Sequence, residues 1–137
     1  MQVILDTSAI IALVDKSSSS HLPVKEYIMT HECSYVIPSP AVPEICYMLN
    51  SRFGSYVELQ FIQQVADSVF YLEPVSYMDI LRIGEILNHY SQMDIGYVDA
   101  AIIAIAERLN VNKLITLDKK HFSVVVPKNF EGFDLLV

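Results

Sequence analysis

An α/β fold with a mainly parallel central sheet between two helical layers is expected of this sequence, on three observations. Short apolar runs of β type alternate with stretches of helical pattern from one end of the chain to the other. No internal repeat or low-complexity linker interrupts that order. At 137 residues the chain is long enough for one sizeable core and too short for two, so residues 1–137 are read as a single domain.

The elements follow in order. Val3-Ile4-Leu5 is strand-like, and Thr7 to Val14 reads as a short helix with hydroxyls at its cap. Ser17 to Ser20 is a loop before a helix from about His21 to Thr30, and Tyr35-Val36-Ile37 is a second strand. Pro38-Ser39-Pro40 opens the next helix, with Ser39 placed to cap it and Pro40 suited to its first position; the helix runs to about Arg52, before Gly54. A further helix spans about Tyr56 to Asp67, and Val69 to Leu72 is a strand. Ser76-Tyr77-Met78-Asp79 has the form of a capping box, with Asp in place of the usual Glu, at the head of a helix reaching Tyr90. Gly96 precedes a helix over Tyr97 to Leu109, and Lys113 to Thr116 is a strand. Ser123 to Val126 and Phe133 to Leu136 are read as short edge strands.

Composition narrows the function classes. Hydrophobic residues make up 53% and mean hydropathy is +0.37, yet no apolar run approaches the roughly 20 residues of a membrane helix, so a buried association surface is the expectation. The first residues carry neither a basic region nor a cleavage pattern, which points to the cytoplasm. Cys33 and Cys46 form no metal or redox motif and read as reduced structural thiols. A formal net charge of −7 argues against a broad nonspecific nucleic-acid surface, although a bound divalent ion reverses the local field of an acidic cluster.

Four carboxylates carry the chemistry. Asp6 ends the first strand and Asp118 follows Leu114-Ile115-Thr116-Leu117, so both sit where parallel sheets place their ligands. Glu44 and Asp99 lie in the apolar helical stretches around Ile45 and Ala100. Brought together, such groups repel, and a hard divalent cation, Mg²⁺ or Mn²⁺, removes that cost.

The motifs Leu5-Asp6-Thr7-Ser8-Ala9, Pro43-Glu44-Ile45, Asp94-Ile95-Gly96-Tyr97-Val98-Asp99-Ala100-Ala101-Ile102 and Thr116-Leu117-Asp118-Lys119-Lys120-His121-Phe122 together resemble those of PIN-domain nucleases, in order and over nearly the whole chain. The likeness is particularly to VapC-type toxins of toxin–antitoxin pairs. The resemblance implies a three-layer α/β/α PIN-like fold, Mg²⁺- or Mn²⁺-dependent endoribonuclease activity, homodimers and inhibition by a cognate antitoxin. Carried onto this chain, it gives Asp6 and Asp99 as principal metal ligands, Glu44 and Asp118 as the remaining acids, and Asp94 as an additional acid that could equally be a helix-entry residue. Thr116 and Ser8 would orient carboxylates or water through their hydroxyls, or else simply suit a strand and cap a helix. His121, just after Lys119-Lys120, is the one histidine with a place near a phosphate, although a surface role is the plainer reading.

Two other readings stand beside this one. A phosphatase with Asp6 as nucleophile lacks the second acid two residues later, where Ser8 stands. A catalytically silent PIN-like domain that binds RNA or protein is the stronger alternative.

Overall fold

The computed structural model describes residues 1–137 and orders them as β1 (Gln2–Leu5), α1 (Thr7–Val14), α2 (His21–Thr30), β2 (Ser34–Pro38), a 3₁₀ turn (Ser39–Ala41), α3 (Val42–Phe53), α4 (Ser55–Ala66), β3 (Tyr71–Glu73), α5 (Tyr77–His89), α6 (Tyr97–Leu109), β4 (Lys113–Ile115), α7 (Lys119–Phe122) and β5 (Asp134–Leu135). The five strands form one sheet in the order β3-β2-β1-β4-β5, and every pairing is parallel. No helix is long and apolar enough to cross a membrane.

The two-residue period of a strand divides the core. Val3, Leu5, Tyr35, Ile37 and Ile115 pack with residues of α1 to α4, among them Ile10, Val24, Ile45, Leu49 and Phe61. The intervening residues Ile4, Val36 and Leu114 pack instead with Ile83 and Ile86 of α5, the run Ala100–Ala104 of α6, and Phe122. Every strand residue named here is buried, which is why these runs are apolar throughout rather than alternating.

Polar ties fix the second helical layer. At the head of α5, the Asp79 N–H donates to Ser76 Oγ at 3.1 Å and the Ser76 N–H to Asp79 Oδ2 at 2.9 Å, the reciprocal capping box the sequence implies. Arg108 of α6 then donates to Asp79 at 3.1 Å and to Glu73 at 2.7 Å, joining α6, α5 and β3. Arg82 holds Glu107 through two bonds of 2.7 and 2.9 Å.

Several local expectations are corrected. Ser123–Val126 is not a strand. The N–H groups of Ser123 and Val124 turn back to Lys119 and His121, that of Val126 donates to the Tyr90 hydroxyl, and Pro127 follows. Ser39 does not cap a helix; it lies within the 3₁₀ turn, and Ala41 precedes α3 with no side-chain cap, Pro43 falling in that helix's first turn. The cap of α1 is Asp6 rather than a hydroxyl. The third strand starts two residues later than expected, at Tyr71.

Candidate metal centre

Chain order makes a crevice at one edge of the sheet. From β1 the chain moves outward to β2 and β3, then returns to place β4 on the other side of β1, so the strand order reverses between β1 and β4. Ligands bind at such reversals, beyond the carboxyl ends of the strands. Asp6 immediately follows β1 and Thr116 immediately follows β4. α6 leads straight back into β4, so it runs against the strands and its first turn, with Asp99, lies at this same edge. Glu44 is in the first turn of α3, soon after β2 ends.

The four acids line one cleft of about 470 Å³, with Thr7, Ser8, Gly96 and Tyr97 among their neighbours. Asp6 is the most enclosed, at 6% exposure. Its Oδ1 accepts from the Ser8 hydroxyl at 2.6 Å and the Ala9 N–H at 3.0 Å, and its Oδ2 accepts from the Thr116 hydroxyl. The same two hydroxyls work across the reversal: Ser8 Oγ accepts from the Leu117 N–H at 2.9 Å, and Thr116 Oγ1 accepts from the Asp118 N–H at 2.9 Å. Both residues therefore orient carboxylate-bearing backbone, and Thr116 is fully buried in doing so.

Asp118 caps α7, accepting from the His121 N–H at 3.3 Å, while His121 Nδ1 lies 2.8 Å from Asp118 Oδ2. One ligand-type atom each from Asp99, Asp118 and His121 lies within 4.8 Å of the others. Glu44 is exposed, so its apolar sequence neighbours mark only the opposite face of α3. Asp94 is exposed on the turn before α6 and is not among the residues lining the cleft.

Electrostatics separate this cluster from the structural acids. Asp79 is as buried as Asp6, but Arg108 neutralises it; burial raises its pKa, and the bonds from Arg108 and Ser76 together outweigh that and hold it below the usual value. No lysine or arginine pairs with Asp6, Glu44, Asp99 or Asp118, and the single ionic contact among them is His121 with Asp118. Asp6 is consequently raised, by burial first and also by the charge of Asp118, against the pull of its hydrogen bonds. Burial, then the charges of Asp118 and Asp6, push Asp99 up to about 6. One buried, two part-buried and one exposed carboxylate around a single cleft, with no lysine or arginine paired to any of them, are a donor set that fits a hard divalent cation. The Thr7 hydroxyl, buried beside them, has no hydrogen-bond partner in the protein.

His121 is the member of this group that sequence reasoning undervalued. Its signal is the spacing of three from Asp118, which brings the two side chains together on a single turn.

Comparison with known proteins agrees with this architecture. The profile of the PIN domain matches residues 3–126. The chain is 30% identical over 125 residues to ribonuclease VapC26 of Mycobacterium tuberculosis, covering 91% of this chain and 93% of that protein. It superposes on Mycobacterium tuberculosis VapC20, a sarcin-ricin loop cleaving toxin, with a TM-score of 0.78 at 18% identity, covering 91% of this chain and 97% of the other. A toxin–antitoxin complex from Klebsiella pneumoniae gives a TM-score of 0.68 at 20% identity, covering 91% and 97%.

Proposed function

The chain belongs to the PIN-domain family, with a VapC-type likeness over nearly its whole length, and on that premise we propose that it is a metal-dependent endoribonuclease acting as the toxin of a toxin–antitoxin pair. The observation that carries the reading is the cleft at the β1/β4 reversal, where Asp6 is buried and no basic side chain but His121 compensates the acids. Asp6, Glu44, Asp99 and Asp118 would hold Mg²⁺ or Mn²⁺. When bound, such a cation neutralises phosphate charge and makes a water molecule acidic enough to attack phosphorus.

The protein's own part is placement. Ser8, Thr116 and the Ala9 N–H fix both oxygens of Asp6, leaving its remaining lone pairs for the cleft. Asp118 is fixed by the Thr116 bond to its N–H and by its own capping of α7, so the acids on either side of the reversal keep their spacing without a ligand. Gly96 and Tyr97 form part of the wall of the same cleft. With water and not the 2′-hydroxyl of the RNA as nucleophile, no 2′,3′-cyclic phosphate forms, and the family resemblance implies ends with a 5′-phosphate and a 3′-hydroxyl.

Partner binding has its own support. Tyr47, Tyr56, Tyr77 and Met78 are each more than two-thirds exposed (74, 69, 80 and 69%), an excess of surface apolar side chains that a second copy or an antitoxin segment would cover.

Cleavage of RNA by the purified protein tests the reading. Chelator should abolish cutting, Mg²⁺ or Mn²⁺ should restore it, and Asp6→Asn and Asp99→Asn should each remove most of it while leaving the circular dichroism unchanged. Cyclic-phosphate ends, or cutting that persists in excess chelator, would contradict it; RNA binding without cutting would favour the silent alternative.

A further inference from the structure

We propose that a second cavity beside the metal cleft is a nucleotide subsite, which holds one base of the RNA strand while Lys119 meets its phosphate. The inference rests on the endoribonuclease reading and concerns where the strand runs next to the cut.

The cavity encloses about 270 Å³ beside the turn that follows β4, and Ser20, Pro23 and Val24 at the head of α2 line it together with Leu117, Lys119 and Leu136. Thr116, Leu117 and Asp118 are consecutive; the first two line this cavity and the third lines the metal cleft. Thr116 also bonds through its hydroxyl to Asp6 Oδ2, and Leu117 through its N–H to Ser8 Oγ, both of them cleft residues. One short turn is therefore the wall between the two spaces. With about 3.8 Å between consecutive Cα atoms, a strand whose scissile phosphate lies in the cleft brings a neighbouring nucleotide to the cavity.

Size, lining and charge fit that occupant. The volume falls below the roughly 300–1,000 Å³ of sites for drug-sized molecules, which suits one planar ring system rather than a folded segment. Val24 and Ile115, both buried, and part-buried Leu136 supply apolar walls for the faces of a base. Ser20 stands at the cap of α2 but makes no capping bond, so its hydroxyl is left for the edge of a base. In a chain of net charge −7, no carboxylate lines this cavity, whereas the groove at the end of α5 holds Glu85, that beside Met78 holds Asp79 and Glu107, and the one between α1 and α4 holds no cation. Lys119 and Lys120 are exposed and pair with no side-chain carboxylate, unlike Arg82, Arg108, Lys113 and Lys128. Lys119 donates to Val137 O at 2.7 Å, which uses one of its three N–H groups. Phosphate contacts set the register of a bound strand, and base contacts set its specificity.

The first readout is independent of cutting. Backbone amide resonances of the full, isotope-labelled chain are followed in chelator as adenosine 5′-monophosphate, uridine 5′-monophosphate or inorganic phosphate is added to millimolar concentration. A nucleotide should shift Ser20, Leu117 and Lys119 together, whereas phosphate alone should shift Lys119 without Ser20. The second readout maps cut sites in a random-sequence RNA pool. Wild type should prefer particular bases at one position next to the cut, and Ser20→Phe, which fills the cavity, should flatten that preference at least about tenfold. Pro23→Trp fills it from an exposed position and repeats the test should Ser20→Phe unfold. Lys119→Gln should keep the preference and reduce the slope of log affinity against log salt by about 0.7, the increment for one phosphate of a single strand. Nucleotides that shift none of these amides, or shift them no more than phosphate does, overturn the subsite. So does a base preference absent from wild type or untouched in both filled variants, and each of these results leaves the nuclease reading intact. A wild type that takes the nucleotides at these residues but cuts no RNA overturns the nuclease reading and keeps the cavity as a nucleotide site.

Discussion

Thr116→Val removes one hydroxyl at nearly constant volume, and the structure sets out what that hydroxyl supports. It donates to Asp6 Oδ2 and accepts from the Asp118 N–H, inside a residue 2% exposed, so no water replaces it. A hydrogen bond to a charged group contributes about 1.5–3 kcal/mol and a neutral one about 1 kcal/mol. The two losses together, partly offset by burying a methyl group, give a destabilisation of about 2–4 kcal/mol in the metal-free protein at pH 7.5. For a chain of this length that lowers Tm by roughly 6–12 °C. Urea and thermal unfolding in chelator measure it, with Thr116→Ser as the control that keeps the hydroxyl and costs about 1 kcal/mol for its lost methyl. Cleavage should follow the hydroxyl, lost in Val and retained in Ser. A Val variant within about 0.5 kcal/mol of wild type would refute the reasoning, reducing Thr116 to a residue that merely suits a strand end.

Asp79→Asn should destabilise by about 2–3 kcal/mol at pH 7, less than a wholly buried pair because Arg108 is 35% exposed. The folded pKa of Asp79 is depressed, so its contribution is full above the unfolded carboxylate range near pH 4 and disappears as pH falls through the lower folded value; the gap between variant and wild type in urea titrations should narrow as pH falls below about 4. Asp6→Asn should do the opposite in the proposed metal cleft: in chelator it removes an uncompensated buried charge and raises Tm, but the rise expected of wild type in saturating Mn²⁺, about 2.7 kcal/mol at a hundred times Kd, should vanish in differential scanning fluorimetry.

What sequence conveyed about the fold was chiefly what rests on burial on both sides of an element. Val3-Ile4-Leu5 and Leu114-Ile115 are apolar because each residue meets one or other helical layer, and α6 is apolar over Ala100–Ala106 because every residue of that run is buried. The misreadings fall where burial and backbone pairing part company. Ser123-Val124-Val125-Val126 has β-branched residues without a neighbouring strand edge: Val125 is buried, its neighbours are exposed, and the backbone donors go to a helix end and a tyrosine. α7, four residues long, is too short for any periodicity to mark it. Ser39 has a capping residue's chemistry but lies in a 3₁₀ turn that satisfies the backbone without it. The strand order, which alone brings Asp6 beside Thr116, is not written in any local run.

The candidate site behaves in the opposite way, since its residues were conspicuous by violating local expectation. A charge that ends an apolar strand, as Asp6 does, must find a counter-ion, and this fold offers Arg108 and Arg82 to Asp79 and Glu107 while offering no arginine or lysine to the cleft. The protein thus leaves one set of carboxylates uncompensated although it builds ion pairs elsewhere with good geometry. That asymmetry costs stability in the metal-free state, and the two apolar layers and the Arg108 and Arg82 networks offset the cost. Because the acids come from the residue after β1, from α3, from α6 and from the loop after β4, no fragment of the chain assembles the site; it exists only once β4 has returned to the side of β1. Ser8 and Thr116 make that return specific, for their hydroxyls bond across the reversal as well as to Asp6. The groups that close the sheet at this point are therefore the same ones that aim its carboxylates, and a substitution that loosens one function must loosen the other.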